Sequence, residues 1–201
     1  GFPARSDDKL RPDPGRISAI LTFLDAANQL KDTLRSGRTP QGRQESTAEH
    51  SWRLCLLAIL LGDTLEGIDL LRLIKICIVH DLGEAISGDV PATDQRAGDD
   101  RALRERADLV ELCAPLPDDL EAEMIALWDE YAAAKTPEAI VAKGLDKIET
   151  MLTHSTGSNP AGFDYGFNLS YGADATSRHP VLASIRAQVD ARTRSRMSTP
   201  D

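Results

Sequence analysis

Two of the four histidines in this 201-residue chain lie on apolar helical patterns, where a polar side chain without a partner is costly. His80 ends one such pattern and is followed directly by Asp81, within the stretch IVHDLGEAISGDVP at 78–91. His50 begins another pattern and is in register with the apolar residues that follow it at helical spacing. Because both placements require partners, they indicate a functional site.

Each of these residues has an ordinary explanation when it is taken alone. A single inward histidine is usually a satisfied core residue, and an aspartate near a helix end is usually a cap or a surface charge. The combination is harder to dismiss, because Asp146 flanks the buried stripe of a third helix and is directed to the same interior. One divalent cation would satisfy two imidazoles and two carboxylates together, which predicts a metal site formed by His50, His80, Asp81 and Asp146. Mixed nitrogen and oxygen ligands favour one transition metal, Mn, Fe, Co, Ni or Zn, over Mg or Ca.

The composition excludes several classes of protein. Apolar residues make up 41% and aromatic residues 4%, which predicts an aliphatic core. The 23 basic and 32 acidic residues give a net charge of −9 without a basic cluster, so we expect no nucleic acid polymer as a partner, while a small anionic substrate is allowed. The longest apolar run, LCLLAILLG, is about half as long as a membrane span, so no membrane partner is expected. Cys55, Cys77 and Cys113 share no CxxC spacing, which predicts buried free thiols and a cytoplasmic location.

Helical periodicity runs through almost the whole chain, and no convincing alternating pattern indicates a strand. The predicted fold class is therefore all-α. STAE at 46–49 has the form of a capping box, and Thr136 followed by Pro137 has the form of a helix start. The predicted helices cover 17–31, 46–62, 68–86, 99–112, a stretch from Pro117, a stretch from Thr136, and 180–193. The segment RSGRTPQGRQE at 35–45 is predicted to be a loop.

The chain is predicted to form one domain over residues 17–193. Residues 1–16 are polar and Pro-rich, and we interpret them as a tail that is disordered or left by expression or processing. Residues 194–201 are interpreted as a flexible basic tail. The Gly-rich segment 155–180 is long for a structureless connection, which favours a functional loop or lid within the domain.

Three stretches in a fixed order resemble a known family. TAEHS, then VHDLGEAISGDVP, then GLDKIETML are similar to the H…HD…D signature of the HD-domain metal-dependent phosphohydrolases, and most similar to the YfbR-like 5′-deoxynucleotidase group. The resemblance covers about residues 17–155 and implies a helical bundle with a single metal site between helices. It assigns His50, His80, Asp81 and Asp146 as the four metal ligands. It assigns Glu84 as the acid that handles the attacking water and Asp89 as a second catalytic acid near the leaving group.

The resemblance also bears on the substrate. Arg35 falls where the group has an arginine near the substrate phosphate, and Arg43 is the second candidate for that contact. Ser36 stands where a related bacterial enzyme carries a tryptophan beside the sugar, so selection for 2′-deoxyribose is not implied. The sequence FDYGF at 163–167 is interpreted either as aromatic residues that stack on a base or as a loop held in place by aromatic anchors.

The function that follows is hydrolysis of (deoxy)nucleoside 5′-monophosphates, with a homodimer allowed. A triphosphohydrolase acting on deoxynucleoside triphosphates stays open, because basic residues are available at Lys31, Arg35, Arg38 and Arg43. A two-iron oxygenase would need further histidine ligands, and only His154 and His179 are left. A non-catalytic metal- or nucleotide-binding module is a fourth reading, which the complete set of matched positions argues against.

Overall fold

Helices form almost all of the regular structure of the protein. The structure is a computed structural model, and it describes Arg11 and residues 13–198. The α-helices are α1 (Pro14–Ala27), α2 (Thr47–Leu60), α3 (Leu70–Val79), α4 (Glu84–Ser87), α5 (Arg101–Cys113), α6 (Asp118–Ala133), α7 (Pro137–Thr156), α8 (Ala173–Ser177) and α9 (Pro180–Met197). Two short strands, β1 (Leu34–Arg38) and β2 (Gln44–Ser46), form a hairpin before α2. The all-α prediction is confirmed for the bundle, and the hairpin is an addition to it.

Helix α7 lies at the centre of the bundle and packs against α2, α3, α6, α8 and α9. Its apolar stripe of Val141, Leu145 and Ile148 is fully buried, as its periodicity predicts. The core around it is largely aliphatic. Truncating one of these side chains to alanine should cost about 2–5 kcal/mol of unfolding free energy, because a buried cavity would remain.

Capping residues fix where the two site-bearing helices α2 and α7 begin. Ser46 Oγ accepts a hydrogen bond from the Glu49 main-chain N–H, and Glu49 Oε2 accepts one from the Ser46 N–H at 2.7 Å. Thr136 caps α7 by accepting from the Ala139 N–H, with Pro137 in the first helical position. Both predicted helix starts are confirmed, and each N-cap is typically worth about 1 kcal/mol.

The prediction of a loop at 35–45 is wrong. Strands β1 and β2 pair antiparallel, with Leu34 opposite Ser46 and Arg38 opposite Gln44, and the turn between them contains Gly42 at a φ of 88°. Both strands are short and polar, so no alternation of apolar residues reveals them. The hairpin matters for the site because it carries Arg35 and Ser36 to it.

The helix predicted over 68–86 is two helices rather than one. Helix α3 ends at Val79, His80 is its C-cap, and α4 begins only at Glu84. The turn passes close to α5, because a Cβ atom on Gly83 would lie 2.9 Å from the main-chain oxygen of Glu105. This break directs Asp81 and Glu84 into the site from a turn.

The segment 155–180 is more ordered than a structureless loop. Helix α7 extends to Thr156, a 3₁₀-helix covers Tyr165–Leu169, and α8 follows. Arg186 of α9 is buried and fixes this segment by donating hydrogen bonds to the main-chain oxygens of Asn168, Leu169 and Tyr171. The segment is therefore a packed wall of the domain.

The predicted domain ends also need correction. Helix α1 begins at Pro14 with Asp13 as its cap, inside the predicted tail 1–16, and α9 continues to Met197, inside the predicted tail 194–201. Residues 1–10, 12 and 199–201 lie outside the described residues. The three cysteines are free and buried, which confirms that part of the prediction. No helix in the described part of the chain is both long and apolar enough to cross a membrane.

Candidate metal centre and its cavity

Four predicted ligand side chains converge from three parts of the fold. His50 comes from the first turn of α2, His80 and Asp81 from the end of α3, and Asp146 from the middle of α7. Each offers one ligand atom, and the four atoms all lie within 4.8 Å of one another. The separation is 2.8 Å from His50 Nε2 to Asp146 Oδ1 and 2.9 Å from His80 Nε2 to Asp81 Oδ2. Two imidazoles and two carboxylates at this spacing fit one divalent cation.

Hydrogen bonds on the far side of each imidazole orient both rings. His80 Nδ1 donates to the main-chain oxygen of Cys77 at 2.6 Å, and His50 Nδ1 lies 2.8 Å from Glu149 Oε1. A carbonyl only accepts and a carboxylate favours a donor beside it, so Nδ1 carries a proton in both rings. Both Nε2 atoms are then left to face the common centre, as is usual for histidines that bind metals.

Asp146 is held by partners on both oxygens. Its Oδ1 faces the two histidines, while Oδ2 accepts from Tyr131 Oη at 2.8 Å and from Lys147 Nζ at 3.2 Å. Burial alone would raise the pKa of Asp146, but Lys147 and the histidines outweigh it and hold that pKa well below its usual range. Asp146 is therefore ionised at neutral pH.

Both predicted catalytic acids lie at the same centre and line the adjoining cavity. Glu84 Oε2 accepts a hydrogen bond from Thr47 Oγ1 at 2.8 Å. Burial, with the negative charges of Asp81 and Asp89, raises the pKa of Glu84 to about 10. Burial also raises the pKa of Asp89, although Arg35 opposes the change. The crowding of carboxylates makes this a centre that positive charge would stabilise.

Arg35 extends from β1 into this acidic centre. Its Nη1 lies 3.4 Å from Asp81 Oδ2 and 3.9 Å from Asp89 Oδ1, and its Nη2 donates to Thr150 Oγ1 at 3.2 Å. The side chain is buried and lines the cavity. Burial would lower the pKa of Arg35, but Asp81 and Asp89 raise it, so the guanidinium stays charged.

Arg43 is not brought to the centre. Its side chain is 61% exposed and forms an ion pair with Glu49 at 2.6 Å, away from the residues that line the cavity. Lys31 and Arg38 are also absent from the cavity wall among the described residues. Arg43 follows Arg35 closely in sequence, but the turn of the hairpin carries it to the outside.

A cavity of about 600 Å³ opens beside the four candidate ligands. Ser36 lies on its wall near Arg35. Basic side chains that the sequence analysis did not consider also line it, namely Arg96, Arg101, Lys143 and Lys147. The cavity is large enough for an organic phosphate.

The remaining histidines do not join the centre. His154 Nδ1 contacts Asn168 Oδ1 at 3.2 Å on the cavity wall, and His179 caps α9 by accepting from the Val181 N–H. A second group with ligand-type atoms, formed by Glu45, His50 and Glu149, is buried behind the first. Glu149 is already engaged there, by His50 on one oxygen and by Arg53 on the other.

Comparison with known proteins identifies the family. The HD domain family profile matches residues 27–186. The chain belongs to the HD-domain family. The matched range includes all four candidate ligands, His50, His80, Asp81 and Asp146.

Several relatives of this HD-domain chain carry functional names. The chain is 28% identical over 187 residues to 5′-deoxynucleotidase HDDC2 of Dictyostelium discoideum, covering 87% of this chain and 98% of that protein. It is 36% identical over 137 residues to 5′-deoxynucleotidase hdd1 of Schizosaccharomyces pombe, covering 65% and 68%. The crystal structure of a "predicted metal-dependent phosphohydrolase" from Magnetospirillum magnetotacticum MS-1 superposes with a TM-score of 0.75 at 30% identity, covering 92% of this chain and all of that one.

Some residues of the HD-domain site were missed by the sequence analysis. Glu149, Tyr131, Lys147 and Thr150 all contact a candidate ligand or Arg35. One signal was available, because Glu149 and Thr150 follow Asp146 by three and four residues and so lie on the same side of α7. Tyr131 gave no such signal, since its contact with Asp146 depends on how α6 packs against α7.

Proposed function

We propose that this HD-domain protein is a metal-dependent phosphohydrolase that releases phosphate from (deoxy)nucleoside 5′-monophosphates. The observation that carries the proposal is the convergence of four ligand atoms within 4.8 Å beside a cavity that also holds Arg35, Glu84 and Asp89. The names of the relatives in Dictyostelium discoideum and Schizosaccharomyces pombe support a 5′-deoxynucleotidase.

The proposed metal is a single divalent transition ion, Mn, Fe, Co, Ni or Zn, held by His50, His80, Asp81 and Asp146. The mixed set of imidazole and carboxylate ligands supports this choice, since Mg and Ca prefer oxygen alone. When bound, such an ion supplies Lewis-acid activation of water and offsets charge on the phosphoryl group.

The protein's own side chains divide the remaining work. Arg35 binds the phosphoryl oxygens as a planar fork of donors, supported by its position against Asp81 and Asp89 on the cavity wall. Glu84 orients the attacking water and takes its proton. Its raised pKa is caused by burial and neighbouring carboxylates, so positive charge at the centre lowers that pKa towards a value suited to a base. Asp89, with a raised pKa of its own, delivers a proton to the departing 5′ oxygen.

A triphosphohydrolase is the second candidate function, and the basic residues that line the cavity support it. Lys143 lines the cavity over the Tyr131 ring, near Arg101 and Lys147. A longer polyanion could use these cations, although Lys147 is also needed by Asp146. A non-catalytic module is less well supported, because every matched acid and ligand position is filled.

The cysteines and the composition bear on the cellular location and the partners. We infer a cytoplasmic location, since three buried free thiols suit a reducing compartment. A small-molecule nucleotide is the proposed partner, in preference to a nucleic acid polymer or a membrane. A homodimer stays a prediction.

A phosphate-release assay tests the proposal. It compares protein from which a chelator has removed the metal with the same protein after metal has been added back. The panel contains nucleoside and deoxynucleoside 5′-monophosphates and the matching triphosphates. We expect inorganic phosphate to be released from the monophosphates. A triphosphohydrolase would instead release tripolyphosphate from the triphosphates, and a binding module would release neither product. Asp81→Asn should abolish turnover, and Asp99→Asn is the control, because Asp99 lines the same cavity but pairs with Arg104.

A further inference from the structure

The face of α7 that carries Asp146 continues along the cavity to His154. Asp146, Thr150 and His154 are four residues apart and all line the cavity. At 1.5 Å of rise per residue, His154 lies about 12 Å along the helix axis from Asp146. With a phosphate beside Asp146 and Arg35, an extended nucleotide would place its sugar near Thr150 and Ser36 and its base near His154.

At this end of the cavity, two buried nitrogens have no hydrogen-bond partner. They are His154 Nε2 and Asn168 Nδ2, on side chains that are 8% and 1% exposed. The two side chains meet through His154 Nδ1 and Asn168 Oδ1 at 3.2 Å, and Arg186 holds the main chain at Asn168. A buried polar atom left without a partner destabilises the folded protein, so both nitrogens require one.

The two nitrogens have opposite hydrogen-bonding roles. Burial lowers the pKa of His154, so its imidazole is neutral. Its Nδ1–H donates to the oxygen of Asn168, which leaves Nε2 as an acceptor and the Asn168 amide nitrogen as a donor. An acceptor and a donor without partners can each serve one of the polar groups that a nucleobase presents along its edges.

Aromatic rings surround the same end of the cavity. Phe163 packs edge-on against the His154 ring with 5.0 Å between ring centroids, and both Phe163 and Phe167 line the cavity. Tyr165 does not line it, because its hydroxyl accepts hydrogen bonds from Arg196 and Asn159. FDYGF is interpreted from its sequence either as a loop held by aromatic anchors or as aromatic residues that stack on a base. Tyr165 fits the first interpretation, and Phe163 is placed for the second.

We propose that His154, Phe163 and Asn168 form a nucleobase-binding end of the cavity. Phe163 stacks on the base, while His154 Nε2 and Asn168 Nδ2 accept from and donate to its edge. Both nitrogens are covered from solvent, so Phe163 shifts aside from His154 as the base enters. This inference rests on the proposed nucleotidase function, and it restricts the substrates to phosphomonoesters that carry a base.

The test compares a nucleotide with the same phosphoester lacking a base. The wild-type protein, loaded with metal, should hydrolyse dAMP with a higher kcat/KM than 2-deoxyribose 5-phosphate. Asn168→Leu should lower kcat/KM for dAMP about tenfold, the loss of one substrate hydrogen bond, and leave 2-deoxyribose 5-phosphate unchanged. Phe163→Ala should show the same contrast through lost stacking. Gln95→Leu is the control, because Gln95 is an amide on the cavity wall bonded to Val90.

Equal losses on both substrates, or no loss on dAMP from either variant, would overturn the base-binding end. Thermal unfolding and metal content identify a variant that has failed to fold, and the other variant then decides. Failure of the proposed function is distinguishable, because the wild-type protein would then hydrolyse neither substrate. In that case calorimetry with 2′-deoxyadenosine still decides. If the wild-type protein binds this nucleoside and Asn168→Leu binds it more weakly, the inference is supported. If the wild-type protein does not bind it, the inference is contradicted.

Discussion

Glu149 Oε1 lies 2.8 Å from Nδ1 of His50, and both side chains are fully buried between α2 and α7. The other oxygen of Glu149 accepts from Arg53 Nε at 2.7 Å. Arg53 thus fixes the carboxylate, and the carboxylate fixes the tautomer and the ring orientation of His50. The proposed metal centre depends on a residue that does not face it.

Replacing Glu149 should therefore weaken metal binding. Glu149→Ala removes the acceptor for His50 Nδ1, and loss of such a partner typically lowers metal affinity by about 10–100-fold. Glu149→Gln, which keeps an acceptor, should recover part of that loss. The measurement is calorimetric titration of chelated protein with Mn²⁺ or Zn²⁺. Glu45→Gln is the control, since Glu45 is buried nearby but contacts Arg35 and Thr153. Unchanged affinity in Glu149→Ala would show that His50 needs no orienting partner.

Glu84→Gln tests the proposed base separately from the metal. The amide keeps the size of the side chain but cannot accept a proton, so turnover of dAMP should fall by about 10²–10⁴-fold. Metal content should stay at the wild-type level, because Glu84 lies outside the four proposed ligands. Glu105→Gln changes a carboxylate that lines the same cavity but pairs with Arg101, and it should keep most activity. Near-normal turnover in metal-loaded Glu84→Gln would remove Glu84 from the mechanism.

Metal binding should release protons. In the metal-free protein burial would lower the pKa of His80, but Asp81 and Asp146 outweigh it and raise that pKa well above its usual range. His80 is therefore protonated at pH 7, and it must lose its proton to become a ligand. Apparent metal affinity should rise with pH up to that raised pKa. Titrations in two buffers of different ionisation enthalpy measure the protons released, and identical heats in both buffers would contradict the prediction.

The strongest sequence signals came from residues on long periodic helices. His50, His80 and Asp146 could be placed because α2, α3 and α7 have clear apolar stripes that define their inward faces. The β1–β2 hairpin could not be predicted, since its strands of five and three mostly polar residues give no alternation of apolar residues. The break before α4 was hidden because apolar residues continue at helical spacing to Ile86, whereas the close packing of Gly83 against α5 is not visible in that periodicity.

Contacts between helices explain the rest of what was missed. The bond from Tyr131 to Asp146 joins α6 to α7, and the bond from Arg53 to Glu149 joins α2 to α7. Periodicity gives the inward face of each helix, but it does not give which residues meet across an interface. Partners of the site residues therefore required the structure.

Ser36 is the position to change for sugar selectivity. It lies on the cavity wall next to Arg35, and we expect its small side chain to leave room for a ribose 2′-hydroxyl. We expect kcat/KM for AMP and dAMP to lie within about tenfold of each other in the wild-type protein. Ser36→Trp should favour dAMP, by about 1–3 kcal/mol of discrimination at most. A strong deoxy preference that is the same in both proteins would show that the sugar is recognised elsewhere.

The most direct measurement of the central claim joins metal content to phosphate release in one preparation. Chelated protein is reconstituted in steps with Mn²⁺, bound metal per chain is measured by plasma mass spectrometry, and phosphate release from dAMP is measured in each sample. The account predicts saturation at one metal per chain, activity that rises in proportion to it, and loss of both in His80→Ala. Phosphate release from fully chelated protein, or none from any nucleoside 5′-monophosphate once each chain holds one metal, would contradict it.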